Sequence, residues 1–279
     1  MKLAEMLIPP LVACLLPVLL ITPSVHGEAV AVPYDLEKFR AVLDDSKLQA
    51  PTSSPTMIEK GQFEGQSNQY FFLDETGRYM TFTVTGDSKR SELRQLSGDW
   101  HTSTSEPRRL IARVRLLVPE DKELNQFTFM QIHDKKNGDR GLNKPLIRLT
   151  WRRSRGGIKD HLWAAVRIPD DSTQPISLEN LATNHVDLGP RPEDFFDAEI
   201  QVHNSRMTVK IHGRVKLDMD VSYWDGLNNY FKAGVYNQDP GTSRAEFETL
   251  RYAATAEDAV EEVHVEVAEA GEPPVEEPE

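Results

Sequence analysis

Residues 230–238 carry polar side chains at alternate positions, which is the spacing that a β-strand turns to one face. The polar side of this segment, with its glycine, consists of Lys232, Gly234, Tyr236 and Gln238. The opposite side, which is mostly apolar and small, consists of Phe231, Ala233, Val235 and Asn237. A strand that only had to be half buried would not require an amine, a phenol and an amide around a glycine. The pattern therefore predicts the floor of a polar groove.

Two other segments repeat this alternation. In residues 90–94, one side holds Arg90, Glu92 and Arg94, and Leu93 turns away. In residues 129–133, one side holds Gln131 and His133, opposite Met130 and Ile132. If the three segments are strands of one sheet, spaced about 4.8 Å apart, their polar sides form a single patch. That patch would combine guanidinium, carboxylate, amide, imidazole, ammonium and phenol groups.

The elements that would position this patch are mostly strands. A short helix is predicted within residues 35–48, where apolar residues recur at near-helical spacing after a capping Asp35. Residues 70–73 and 79–84 flank a turn at 74–77 and predict a hairpin. Further predicted strands are residues 109–118, 127–133, 145–152, 161–167, 197–203, 206–211, 214–219 and 247–252, with tight turns at 204–205 and 212–213. This succession predicts an all-β sandwich of two antiparallel sheets, a β-jelly roll with a concave groove.

The beginning of the chain has the pattern of an export signal. An apolar run over residues 6–21 follows Lys2, contains prolines that argue against a membrane anchor, and precedes small residues at positions 25 and 27. We expect a signal peptide over residues 1–27, cleaved before Glu28, and a secreted or periplasmic protein without membrane contact after cleavage. Residues 11–14, ending at Cys14, also resemble a lipoprotein acylation box, so that route of export stays open.

Cysteine and histidine usage excludes several kinds of chemistry. Cys14 is the only cysteine, so the cleaved chain would have neither a disulfide nor a thiol nucleophile. The isolated histidines show no metal-ligand spacing; they are His161, His185, His203 and His212. We therefore expect no metal and no cofactor.

The charge is distributed unevenly along the chain. Residues 257–279 contain ten acidic residues and no lysine or arginine, which accounts for −10 of the formal net charge of −12. Residues 28–256 carry the remaining −2, because the signal segment is neutral overall. We predict a jelly-roll domain over residues 28–256 and a disordered acidic tail over residues 257–279. For the nearly neutral domain we expect no nucleic-acid partner and a monomeric state.

Taken together, the three polar segments resemble the signature strands of polysaccharide lyase family seven, the alginate lyases. They are Arg90-Ser91-Glu92-Leu93-Arg94, Gln131-Ile132-His133 and residues 230–238, in the family's order, and residues 34–252 are similar to its jelly roll. The resemblance implies cleavage of an anionic 1,4-linked polyuronate by β-elimination without a metal. It implies a catalytic set of Arg90, Gln131, His133 and Tyr236. It implies substrate-contacting or supporting roles for Glu92, Arg94, Lys232, Asn237 and Gln238.

The residue types suit that reaction. Removing H5 beside a carboxylate builds a second negative charge, so the carboxylate must first be neutralised, by the guanidinium fork of Arg90 and by Gln131. Tyr236 can protonate the departing O4. The base is His133 for an anti elimination or Tyr236 for a syn elimination, and the sequence leaves that choice open. Ile132 resembles members that accept guluronate or mixed blocks.

Other functions are compatible with parts of the pattern. A carbohydrate-binding jelly roll would use the same groove without turnover, and a lyase could act on another polyuronate such as glucuronan. A retaining glycoside hydrolase needs two carboxylates about 5 Å apart, but Glu92 is the only acid in the three segments. The basic run at residues 152–157 is either a flank of the groove that attracts a polyanion or a solvated turn.

Overall fold

The computed structural model describes residues 31–118, 122–136, 141–170 and 176–254. The predicted signal peptide and the predicted acidic tail lie outside the described residues. The helix in the described part is α1 (Glu37–Asp44). The strands are β1 (Ser46–Gln49), β2 (Phe71–Leu73), β3 (Met80–Thr85), β4 (Arg90–Gln95), β5 (Arg108–Leu117), β6 (Gln126–Asp134), β7 (Pro145–Arg155), β8 (Ile158–Pro169), β9 (Leu181–Pro190), β10 (Phe196–His203), β11 (Arg206–Ile211), β12 (Arg214–Asp220), β13 (Asn229–Asn237) and β14 (Thr242–Ala253).

These strands form two antiparallel sheets of seven strands each. The first sheet has the order β1-β4-β13-β6-β7-β8-β9, and the second has the order β12-β11-β10-β5-β14-β3-β2. The core lies between them, where Phe129 of β6 meets Phe196 of β10 with ring centroids 6.0 Å apart. Aromatic and β-branched side chains fill the facing surfaces because period-two alternation turns them to one side of each strand. The prediction of a two-sheet jelly-roll sandwich is confirmed.

Two details of the predicted elements are wrong. The helix predicted within residues 35–48 ends at Asp44, and Ser46–Gln49 form β1, which pairs with β4. Strand β9 (Leu181–Pro190) was not predicted, although it forms an edge of the first sheet. An edge strand that is partly exposed on both faces needs no apolar alternation, so its sequence gives no period-two signal.

The three polar segments lie on neighbouring strands in the middle of the first sheet. β13 pairs with β4 on one side and with β6 on the other. Their apolar positions face the second sheet, as the complete burial of Leu93, Ile132 and Ala233 shows. Their polar positions therefore share the outer face of the first sheet.

Gly234 allows β13 to approach β4 closely. Its φ is +136°, and a Cβ at this position would lie 2.2 Å from the carbonyl oxygen of Ser91 and 2.8 Å from the Cα of Glu92. Any larger residue must therefore displace backbone, and it would do so at the centre of the polar patch.

We expect Gly234→Ala to destabilise the protein by about 2 kcal/mol or more, lowering Tm by roughly 4–8 °C, because backbone strain and a steric clash add together. Gly77→Ala is the matched control. Gly77 also has a positive φ, of +70°, but a Cβ there has nothing within 4 Å, so only the backbone strain applies. Thermal unfolding followed by circular dichroism compares the two variants. Equal losses of stability would contradict the close approach of β13 and β4.

Candidate active site

The register of the first sheet brings the predicted residues together. Lys232 of β13 stands opposite Arg94 of β4 on one side and opposite Gln131 of β6 on the other. Tyr236 stands opposite Arg90. We call the resulting set on the outer face the polar cluster: Arg90, Glu92, Arg94, Gln131, His133, Tyr230, Lys232 and Tyr236.

The carboxylate of Glu92 lies at the centre of the polar cluster. Its Oε1 accepts a hydrogen bond from Nε2 of Gln131 at 2.5 Å, and its Oε2 accepts one from Nζ of Lys232 at 2.5 Å. Nη1 of Arg90 lies 3.4 Å from the same Oε2. Glu92 and Lys232 are each only 1% exposed, and their charged groups bind each other, which suits them to support their neighbours. Gln131 is 2% exposed but keeps a second N–H beyond its bond to Glu92. Of the two roles that the resemblance implies for Glu92 and Lys232, these contacts favour the supporting one.

Lys232 is buried beside an opposite charge. Burial lowers the pKa of Lys232 to about 8, while the adjacent Glu92 carboxylate opposes that shift and Arg90 adds to it. Above that pH, loss of the proton would leave Glu92 without its shortest charged contact.

His133 is held as a neutral imidazole whose second nitrogen makes no hydrogen bond to the described residues. Its Nδ1 lies 2.7 Å from the backbone carbonyl oxygen of Asp134. Because a carbonyl can only accept, this contact assigns the proton to Nδ1 and leaves a lone pair on Nε2. Burial, followed by the charges of Lys232, Arg90 and Arg94, lowers the pKa of His133 to about 3. A neutral imidazole with an available lone pair is suited to act as a general base.

Two neighbours fix the orientation of this imidazole. The ring of Tyr230 stacks on it with centroids 5.3 Å apart, and the Tyr230 hydroxyl lies 3.1 Å from Nδ1. The side chain of Asp134 turns away from the polar cluster, and its Oδ2 accepts hydrogen bonds from the backbone of Leu142 and Asn143 at 2.6 and 3.0 Å. These bonds anchor the carbonyl that receives the His133 proton. Burial raises the pKa of the Asp134 carboxyl to about 6.

The arginines of β4 lie over the aromatic rings of β13. The Arg90 guanidinium is 4.2 Å from the ring centroid of Tyr236, and that of Arg94 is 4.3 Å from the ring centroid of Tyr230. The Nε atoms of both arginines are buried and lack a hydrogen-bond partner among the described residues. Buried donors without a partner are costly, so both arginines are suited to an anionic ligand that would accept from them.

Asn237 and Gln238 lie differently from the other predicted site residues. Asn237 is fully buried, and its Nδ2 donates to backbone carbonyl oxygens of Gly86 at 3.0 Å and Gly241 at 2.9 Å. The structure does not bring Asn237 to the polar cluster, and a substrate contact is incompatible with that burial, so only a supporting role remains. Nε2 of Gln238 donates to the Tyr236 carbonyl at 2.8 Å and to Oγ1 of Thr128 at 3.0 Å, which braces the end of β13.

The sequence analysis did not identify two residues, one inside the polar cluster and one beside it. Tyr230 shares the period-two phase of Lys232 and Tyr236, so the alternation alone could have identified it. Arg148 of β7 stands opposite Gln131 across the sheet. No motif marks Arg148, because its position depends on which strand pairs with β6.

Within the described ranges, no group of three or more His, Cys, Asp or Glu side chains is arranged to hold a metal ion. In the same part of the chain, no helix is long and apolar enough to cross a bilayer.

Comparisons with known proteins identify the family. The family model described as alginate lyase, Alginate_lyase2, matches residues 42–263. The chain belongs to the alginate lyase family. The resemblance to polysaccharide lyase family seven is thereby confirmed, and so is the prediction of a polysaccharide lyase.

Individual members of the alginate lyase family resemble the chain over most of its length. An alginate lyase of Photobacterium sp. (strain ATCC 43367) is 29% identical over 248 residues, which are 79% of this chain and 87% of the relative. The structure of the alginate lyase AlyC3 is 28% identical with a TM-score of 0.71, covering 81% of this chain and 96% of that one. AlyC3 in complex with dimannuronate gives 27% identity and the same TM-score of 0.71, with coverages of 81% and 95%.

The protonation state of His133 can be measured directly. We expect its imidazole to stay neutral, protonated on Nδ1, from pH 8 down to at least pH 5, whereas free histidine titrates near 6.5. Between the two pKa values the unfolded chain binds more protons than the folded one, so this group lowers stability as the pH falls below about 6.5. NMR of ¹⁵N-histidine-labelled protein, assigned with His133→Gln, is the measurement. A His133 titration centred near pH 6.5 would contradict the arrangement described above.

Proposed function

We propose that this protein is an exported lyase that cleaves alginate, a 1,4-linked uronate polymer, by β-elimination and leaves a 4-deoxy unsaturated uronate end. The observation that carries the proposal is the combination on one face of a neutral imidazole, a phenol and two guanidinium groups whose Nε donors have no partner among the described residues. Export is supported by the signal pattern of residues 1–27, and the same pattern supports a location outside the cell or in the periplasm. We also propose that the enzyme acts as a monomer.

Neutralisation of the substrate carboxylate is the first requirement. The fork of Arg90 is positioned by Glu92 and Tyr236, and its buried Nε has no protein partner among the described residues. The Gln131 amide uses one N–H on Glu92 and keeps a second for a ligand. One charge pair at about 4 Å with an effective dielectric near 20 contributes roughly 4 kcal/mol. If that is realised mainly in the transition state, it corresponds to about a thousandfold in rate.

Proton transfer then completes the reaction. When H5 lies on the side of His133, the Nε2 lone pair takes the proton, and the C5–H5 electrons form the C4=C5 double bond as the C4–O4 bond breaks. Tyr236 delivers its phenolic proton to the departing O4. When the opposite epimer turns H5 toward Tyr236, the phenol oxygen must serve as base as well as acid. The neutral state of His133 supports the first route.

The choice of alginate rests on relatives. The Photobacterium relative is named an alginate lyase. AlyC3 is also named an alginate lyase, and its structure includes a complex with dimannuronate. Glucuronan, another 1,4-linked polyuronate, presents the same carboxylate and leaving oxygen and stays as the alternative substrate. A retaining glycoside hydrolase is disfavoured, because Glu92, the carboxylate of the polar cluster, already accepts from Gln131 and Lys232 and is unsuited to donate a proton.

Tyr236→Phe tests the leaving-group acid. We expect turnover of alginate, followed as ultraviolet absorbance of the unsaturated product, to fall by at least about a thousandfold, because the proton donor is lost. Binding of the polymer should stay within about threefold, since the ring under Arg90 is kept. The control is Tyr223→Phe. In the wild type, the Tyr223 hydroxyl donates to the Arg167 carbonyl oxygen. Near-normal turnover by Tyr236→Phe would show that Tyr236 only packs.

Arg90→Lys separates geometry from charge in carboxylate recognition. The lysine keeps the positive charge but loses the planar two-point hydrogen bond, so we expect kcat/KM on alginate to fall by about ten- to a thousandfold. Arg94→Lys, two positions along the same face, is the matched comparison and should act mainly on KM. If Arg94→Lys reduces kcat far more than Arg90→Lys does, the two arginines have exchanged roles.

A further inference from the structure

A row of side chains runs across the first sheet from the polar cluster toward the β9 edge. Lys232 pairs with Gln131, Gln131 with Arg148, Arg148 with Ala165, and Ala165 with His185. Residues paired in this way lie on the same face of a sheet. The outer face that carries the polar cluster therefore continues over β7, β8 and β9.

This continuation carries a concentration of positive charge. We call it the arginine cluster: Arg148, Arg152, Arg155 and Arg167 around His185. Nη2 of Arg152 lies 3.1 Å from Nε2 of His185, and Nη2 of Arg155 lies 2.9 Å from Nδ1 of the same ring. Nη1 of Arg167 donates to Oγ1 of Thr183 at 2.5 Å.

The arginine cluster is not neutralised within the part of the chain that is described. None of its four guanidiniums forms a salt bridge with a described carboxylate, although Asp239 acts on Arg152 and Glu92 acts on Arg148 at longer range. The second sheet differs, because Arg113 there pairs with Glu248 at 2.5 Å and Arg115 with Glu246 at 2.6 Å. Ion pairing is thus the rule on the second sheet and is missing at the arginine cluster.

His185 cannot supply the missing acceptors. Each of its ring nitrogens faces an arginine, but a neutral imidazole has only one acceptor nitrogen. At least one guanidinium N–H that points at this ring therefore finds no acceptor on it. The Nε of Arg152 is also buried with no partner among the described residues. Burial, followed by Arg155 and Arg152, lowers the pKa of His185 to about 4, so the ring stays uncharged.

The row contains one small side chain. Ala165, the one small side chain between Arg148 and His185, is flanked along β8 by Trp163 and Arg167. The Arg155 guanidinium lies 5.7 Å from the ring centroid of Trp163, so the aromatic ring helps to hold that guanidinium over the sheet. Ala165 itself is only 2% exposed, so the longer side chains around it form the surface that a ligand would meet.

We propose that the arginine cluster binds uronate carboxylates of the polymer at a distance from the bond that is cleaved. This inference rests on the proposed function for its substrate class. His185 is three strands from Gln131, which is about 14 Å at the usual strand spacing. One 1,4-linked sugar unit is about as long as one strand spacing. A chain lying across the strands therefore reaches the far end of the cluster, at His185, Arg152 and Arg155, only when it extends several units from the cleavage point. The cluster then contributes to the binding of long substrates and contributes little to the binding of short ones.

The kinetic test compares Arg155→Gln with Arg214→Gln on two substrates. Arg214 is exposed on β12 of the second sheet, and its substitution removes the same charge away from the outer face of the first sheet. For polymer or hexasaccharide, Arg155→Gln should raise KM about five- to fiftyfold, with kcat within about twofold. For trisaccharide, kcat/KM should change by no more than about twofold. Arg214→Gln should match the wild type on both substrates. An equal loss on trisaccharide and hexasaccharide, or no loss on either, overturns the proposal.

A binding test separates this proposal from the proposed function. Calorimetric titration of Tyr236→Phe with hexauronate, with and without Arg155→Gln, needs no turnover. We expect the second substitution to weaken binding about five- to fiftyfold, and Arg155→Lys to restore part of it. If the wild type forms no unsaturated product but this difference in binding persists, the elimination is refuted and the anion site stands. If elimination occurs and binding is unchanged by Arg155→Gln, the anion site is refuted alone. Circular dichroism of each variant verifies that it is folded.

Discussion

The buried carboxylate of Glu92 is the constraint on which the rest of the polar cluster depends. A single carboxylate on β4 accepts from Gln131 on β6 and from Lys232 on β13, so three neighbouring strands meet at two oxygen atoms. A buried charge is tolerated only when its acceptor sites are occupied and an opposite charge is close. Removing any partner would leave another buried group unsatisfied, so the donors hold one another in place. That mutual dependence fixes the direction in which Gln131 presents its remaining N–H.

The backbone is arranged to make this meeting of strands feasible. β13 approaches β4 so closely at Gly234 that a side chain there would collide with the backbone of Ser91 and Glu92. Asn237 closes the end of the same strand by binding the turns at Gly86 and Gly241, which join it to the second sheet. Binding residues thus rest on a rigid middle of a sheet, where hydrogen bonds on both sides of each strand limit movement. Such placement is suited to catalysis, because a small displacement of the group that neutralises the substrate carboxylate would lower the reaction rate strongly.

Much of this arrangement could be predicted from the sequence, and the remainder could not, for identifiable reasons. Period-two alternation identifies the strands of Leu93, Ile132 and Ala233, since one side must meet the core. It does not separate residues that contact the substrate from residues that support them. Glu92 and Lys232 lie on the same face of their strands as Arg90 and Tyr236 and differ only in how deeply they are buried. The alternation within one segment also does not predict the order of the strands in a sheet. The Arg148–His185 continuation becomes visible only when β7, β8 and β9 are placed beside β6.

The charges around His133 serve two requirements of an elimination at once. Lys232, Arg90 and Arg94 all lower the pKa of His133, and the two arginines also offer their donors to a carboxylate. In the free protein these cations keep the imidazole uncharged, so its lone pair is available over the whole neutral range. When a substrate carboxylate binds, its negative charge offsets theirs and raises the proton affinity of the imidazole beside it. On the proposed mechanism, the base therefore becomes stronger only when the group that must lose H5 is in place. A histidine paired with a carboxylate of the protein would be more basic from the start, but a larger fraction of it would be protonated near neutral pH and unable to accept that proton.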